Sequence, residues 1–162
     1  MQKAASGISQ MSDVQCPTIN SPVQSRRPLT CSMRSLMRPH PSQADLLEER
    51  LISFAATILS LASELPWTAS ARHIANQIIR SATAAAANYA EARGAESRAD
   101  FVHKLGIVQK ELNETTVWLE LISRTGLMEQ VKIAPLIAEN RELCRIICAS
   151  VRTVHNSGGL DR

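Results

Sequence analysis

The sequence predicts an all-α protein, an antiparallel up-down-up-down four-helix bundle that follows a disordered N-terminal tail. Three observations carry this expectation. Aliphatic side chains recur every three or four residues in four segments of similar length. Proline, glycine and capping residues separate those segments, and strand-type alternation is nowhere sustained. Composition agrees: 44% of the 162 residues are hydrophobic but only 3% are aromatic, the profile of an aliphatic helical core. A chain of this length can bury one such core without disulfides or metals.

Residues 1–41 are rich in Ser, Pro, Gln and Arg and show no sustained period, so they are expected to form a disordered polar and basic tail. Their shortage of acids also fits a transit peptide, although no amphipathic helix accompanies them, and a translation start at Met33 or Met37 is a third reading. The bundle is expected over 42–156, with a short tail at 157–162. In the first helix, Ser42 and Asp45 have capping-box spacing, and Leu47, Leu51, Phe54, Ile58, Leu61 and Leu65 trace one stripe before Pro66. The second begins near Thr68 to Ser70 and runs to Gly94. Ser97 and Asp100 repeat the capping spacing, and Phe101, Leu105, Val108, Leu112, Thr115, Leu119 and Ile122 form the third stripe, which Gly126 ends. Pro135 suits the first turn of the fourth helix, whose stripe is Leu136, Asn140, Leu143, Ile147, Val151 and Val154. Short connections make successive helices antiparallel.

The formal charge of +3 is unevenly placed. Residues 1–44 hold Lys3, Arg26, Arg27, Arg34 and Arg38 against Asp13, a net +4, which leaves −1 for the remainder. Net charge therefore gives the bundle no strongly basic nucleic-acid face. Cys16, Cys31, Cys144 and Cys148 lack the spacing of a secreted disulfide framework or a zinc site, and are read as free thiols in a reducing cytosol. No apolar run approaches the roughly 20 residues of a membrane span, and no signal-peptide core follows Met1. A cytoplasmic protein without membrane or cofactor is the expectation.

One stretch, NQIIRSATAAAANYAEA at 76–92, sets strong hydrogen-bonding side chains among alanines. At about 100° per residue, Gln77, Arg80, Ala84, Asn88 and Glu91 share one narrow strip. Its alanines permit close approach to neighbours on more than one side. Arg80 and Glu91 lie about 16 Å apart along the axis, so their partners come from another helix. Antiparallel packing around the turn at 94–97 sets Arg80 opposite Glu111, Gln77 opposite Glu114, Asn88 opposite His103, and Glu91 beside Asp100 or Lys104. The expected result is a partly buried polar seam led by Arg80 with Glu111 or Glu114. Trp118, with Val117 and Leu121, widens the apolar surface of the third helix, as a broad core face or as a subunit interface.

Catalytic alternatives find little support in the residues. A di-iron bundle needs two Glu-x-x-His elements, and only Asp100-Phe-Val-His103 approaches one. There is no nucleophile elbow and no Gly-rich phosphate loop. His73 and His155 read as solvated or interfacial.

From about 50 to 153 the chain resembles the bacterial four-helix-bundle proteins associated with intervening sequences in large-subunit (23S) ribosomal RNA genes. Gln77-Ile-Ile-Arg80, Asn88-Tyr-Ala-Glu91, Ser97-Arg-Ala-Asp-Phe101 and Leu112-Asn113-Glu114 carry the resemblance. Where the family commonly has Ser, Pro and Gly in the second helix, this chain has Ala84, Ala86 and Ala92, which favours a straight helix continuing to Gly94. The resemblance implies a homo-oligomer, commonly a pentameric ring, and no assigned enzymatic activity. Similar proteins accompany reverse transcriptases of diversity-generating retroelements and bind nucleic acid through a basic barrel surface. In this chain the surplus positive charge sits instead at Arg26, Arg27, Arg34 and Arg38. A scaffold or accessory subunit is the leading functional expectation, and a nucleic-acid-binding or reverse-transcriptase accessory protein the alternative.

Overall fold

The computed structural model describes residues 41–157; the expected tail, with Arg26, Arg27, Arg34 and Arg38, and residues 158–162 lie outside the described residues. Four helices follow one another: α1 Gln43–Glu64, α2 Ala69–Arg93, α3 Arg98–Thr125 and α4 Gln130–Ser157. There is no strand among the described residues.

Local chemistry sets the helix ends. Ser42 Oγ accepts from the Asp45 backbone N–H at 3.1 Å, and Asp45 returns a carboxylate oxygen to the Ser42 N–H at 2.8 Å, a reciprocal capping box. Thr68 and Ser97 cap α2 and α3 through their hydroxyls, accepting from Ala71 and Asp100 N–H groups. Gly126 ends α3 at φ 65°, a left-handed conformation that a Cβ would strain. The fourth helix departs from expectation. It begins at Gln130, so Pro135 lies inside it and not in its first turn. Ile133 and Ile137 are both buried, and this apolar contact holds the early turns in the bundle. Proline removes the N–H that would reach the Val131 carbonyl, close to a helix end where Val131 is exposed to water.

Contacts between helices fix their directions. Along α2 and α3, Ser81 meets Thr115 while the later Glu91 meets the earlier Lys104. On α3 and α4, Gln109 meets Cys148, Asn113 meets Cys144 and Glu120 meets Arg141. Arg93 at the end of α2 reaches Asp45 and Glu48 at the start of α1, and α1 meets α4 at Arg50–Glu139 and Glu64–Lys132. Each pair runs antiparallel. Helices adjacent in sequence pack together, α4 closes sparsely on α1, and the diagonal pairs α1/α3 and α2/α4 stay apart.

The stripes meet inside this square. Leu51, Ile58, Ile78, Leu105, Leu112, Leu119, Ile122, Leu143 and Ile147 are fully buried, each contributing roughly 1.5–3 kcal/mol. Ala71, Ala82, Ala85 and Ala92 let α2 sit close to α1 and α3. No described helix is long and apolar enough to cross a membrane.

Candidate functional site

The polar strip of α2 lies along the outer groove between α2 and α3. Arg80 donates from Nη2 to Glu114 Oε1 at 3.4 Å, and the Trp118 indole N–H donates to the same oxygen at 3.2 Å. His73 meets the Trp118 ring edge-on at 5.9 Å, and Lys104 Nζ reaches Glu91 at 2.5 Å. The Asn88 amide donates to the Ala84 carbonyl of its own helix at 2.8 Å. Gln77 and Glu111 are half-buried, and Glu111 enters no ion pair among the described residues.

Of the two partners expected for Arg80, the structure pairs it with Glu114, one turn beyond the facing Glu111, because side chains lean toward the N-terminus of their own helix. In antiparallel neighbours those leans are opposed, so meeting partners lie further along α3 than the facing Cα atoms. The strip is not a layer led by a buried charge. The Arg80 side chain is 69% exposed, and an exposed pair of this kind contributes about 0–1 kcal/mol.

The buried polar contacts lie elsewhere, on residues that read as apolar-stripe members or as helix filler. Ser81 and Thr115, both fully buried, share a 2.8 Å hydroxyl contact between α2 and α3. Each hydroxyl also reaches a carbonyl of its own helix, Thr115 to Glu111 at 2.9 Å and Ser81 to Ile78 at 3.3 Å, so either can supply the hydrogen of the shared contact. Asn140, also fully buried, donates from Nδ2 to the Leu112 carbonyl at 2.8 Å and to Thr116 Oγ1 at 2.7 Å. Its Oδ1 has no hydrogen-bond partner. The available signal was a polar residue on an otherwise apolar stripe, at positions 115 and 140.

Ion pairs tie the helix ends. Arg50 makes a two-pronged contact with Glu139 at 2.6 and 2.8 Å, which lowers the Glu139 pKa and raises that of Arg50. Hydrogen bonds from the Ser42 side chain and backbone, then Arg93, hold Asp45 down at about 2.

The outer faces carry the remaining unusual feature. Between Arg50 and Glu64, α1 has no charged residue, and Ile52, Ala56 and Leu59 form an exposed stripe. The hydroxyls of Thr57, Ser60 and Ser63 donate back to carbonyls of α1 itself, which lowers the face's demand for water. On α3, Val117 and Leu121 are exposed, whereas Trp118 is half-buried and packs against the core.

A cleft of about 400 Å³ is lined by Leu46, Leu47, Tyr89, Phe101 and Ile146, and its cation, Arg50, is already paired with Glu139. Among the described residues no three His, Cys, Asp or Glu side chains converge as a metal site.

Comparison with known proteins places this geometry. The chain is similar to a crystal structure of a protein of unknown function from the S23 ribosomal protein family of Bacteroides thetaiotaomicron. The TM-score is 0.64 at 32% identity, over 68% of this chain and 99% of the other. No curated protein matches the chain. Residues 48–149 match the family model described as the 23S rRNA-intervening sequence protein. That match covers all of α2 and α3 and most of α1 and α4, and the chain belongs to the 23S rRNA-intervening sequence protein family.

Proposed function

We propose that this protein is a non-enzymatic scaffold or accessory subunit that assembles with copies of itself. The supporting observation is a pair of unlike exposed aliphatic faces, Ile52, Ala56 and Leu59 on α1 and Val117 with Leu121 on α3. These helices stand diagonally across the square, so the faces point to opposite sides. An uncharged aliphatic face has the composition of an interface centre, where charges are depleted. If α1 of one copy seats on α3 of the next, the contact is heterologous, and such contacts close into rings when the rotation permits. A ring of five is the closure implied by the family resemblance.

Light scattering of the full chain at micromolar concentration tests this reading. A particle several times the chain's 17.7 kDa is expected, and a strict monomer would overturn it.

A second reading, an accessory factor for nucleic acid or a reverse transcriptase, is favoured by the charge division. Arg26, Arg27, Arg34 and Arg38 make residues 1–44 strongly basic beside a slightly acidic remainder. Binding through them should weaken steeply with added salt. Undetectable or salt-independent binding to RNA and DNA would remove it.

A further inference from the structure

Cys144 and Cys148 are one turn apart on α4, both half-buried. They face a matching amide pair on α3. Gln109 Nε2 donates to Cys148 Sγ at 3.0 Å, and Cys144 Sγ contacts Asn113 Oδ1 at 3.8 Å. Two thiols are thus presented side by side in the α3/α4 groove, each beside an amide from the neighbouring helix. We propose that Cys144 and Cys148 form a two-thiolate site for a soft monovalent d10 cation of the Cu⁺ type.

The donor set selects the ion. Two sulfurs cannot complete the four-coordinate shell that structural Zn²⁺ demands, and no third His, Cys, Asp or Glu converges on them among the described residues. Soft thiolates select Cu⁺, which is satisfied by two sulfurs in line. Two bonds of roughly 2.3 Å, taking zinc–thiolate length as the guide, span about 4.6 Å. The i, i+4 spacing puts the two Cβ atoms about 5–6 Å apart, a separation from which the two sulfurs can span that distance. An intrahelical disulfide would need a much closer approach, which leaves the reduced pair available.

Charge is also suited to the complex. Binding Cu⁺ releases both thiol protons, so the product carries a net negative charge. Arg152, whose Nε donates to the Cys148 carbonyl at 3.5 Å, stands within one turn to offset it. Because both sulfurs must lose their protons to bind, affinity should fall as pH falls.

The test uses the reduced full-length chain carrying Cys16→Ser and Cys31→Ser, which removes the cysteines outside the described residues. Cu⁺ is supplied from a chromogenic chelator under anaerobic conditions. One equivalent per chain is expected, with Zn²⁺ failing to displace it. Adding Cys144→Ser or Cys148→Ser should each weaken binding roughly tenfold or more, while circular dichroism shows retained helix. Unchanged affinity in either variant would mean independent thiols and would overturn the site. Absence of uptake, or half an equivalent shared between chains, would overturn it too.

Discussion

The two polar regions along α3 make opposite use of their side chains. Toward the core, Ser81, Thr115 and Asn140 are fully buried, small and uncharged, and they bond to hydroxyls or main-chain carbonyls on or across neighbouring helices. Toward solvent, Arg80, Glu114, Glu91 and Lys104 are long, charged and free to exchange partners with water. Burial of a hydroxyl or an amide is tolerable once it is hydrogen-bonded, whereas burial of a charge is costly even when paired. The charged strip catches the eye in the sequence, but the uncharged groups hold the more demanding positions.

Substitutions at Asn140 should separate the two regions most sharply. Asn140→Asp places a carboxylate where two donated hydrogens are needed, against the Leu112 carbonyl and Thr116. A loss of about 3–5 kcal/mol in denaturant unfolding is expected. Asn140→Leu removes the unpartnered Oδ1 along with the donor, and a change within about 1.5 kcal/mol is expected, because the Thr116 hydroxyl still donates to the Leu112 carbonyl. A large loss in Asn140→Leu would show that this amide holds the α3/α4 register more strongly than its bonds suggest.

Ser81→Ala should cost about 1 kcal/mol, one net hydrogen bond. A double-mutant cycle with Thr115→Val should show coupling of similar size; additivity would dismiss the hydroxyl contact. Arg80→Ala is expected to cost less than about 1 kcal/mol, with the difference shrinking in high salt. A loss of several kcal/mol would return Arg80 to a buried role.

The smallest effect concerns acid. Because the folded Asp45 pKa is depressed from 3.8 to about 2, its contribution is present above pH 3.8 and is lost as pH falls through about 2. Ser42→Ala should move the Asp45 carboxyl titration, followed by NMR, back toward its ordinary value. An unmoved titration would assign the depression to Arg93 alone.

The helices were legible because their information is local. Ser42, Asp45, Thr68, Ser97 and Gly126 act within one turn of themselves, and the stripes at 51, 54 and 58 or 105, 108 and 112 follow from the helical period. Pro135 misled because burial of Ile133 outweighed its preference for a first turn. Facing register alone sets Arg80 opposite Glu111, and the choice of Glu114 depends on side-chain lean and reach across helices. Periodicity placed Gln77, Arg80, Asn88 and Glu91 on one strip, but the depth of that strip depends on how the neighbouring helix sits. The apolar outer face of α1 is hard to see in the sequence, since Ile52 and Leu59 flank a strong core stripe.

The central claim, that unlike faces on α1 and α3 join copies head to tail, has a direct test by mixing. Leu59→Glu spoils the α1 face and Val117→Glu the α3 face, so each variant alone should run as a monomer in light scattering. When the two are mixed, one intact α1 face still meets one intact α3 face. A particle of twice the 17.7 kDa chain mass is predicted; wild-type mass in either variant alone, or monomers persisting in the mixture, would contradict the account.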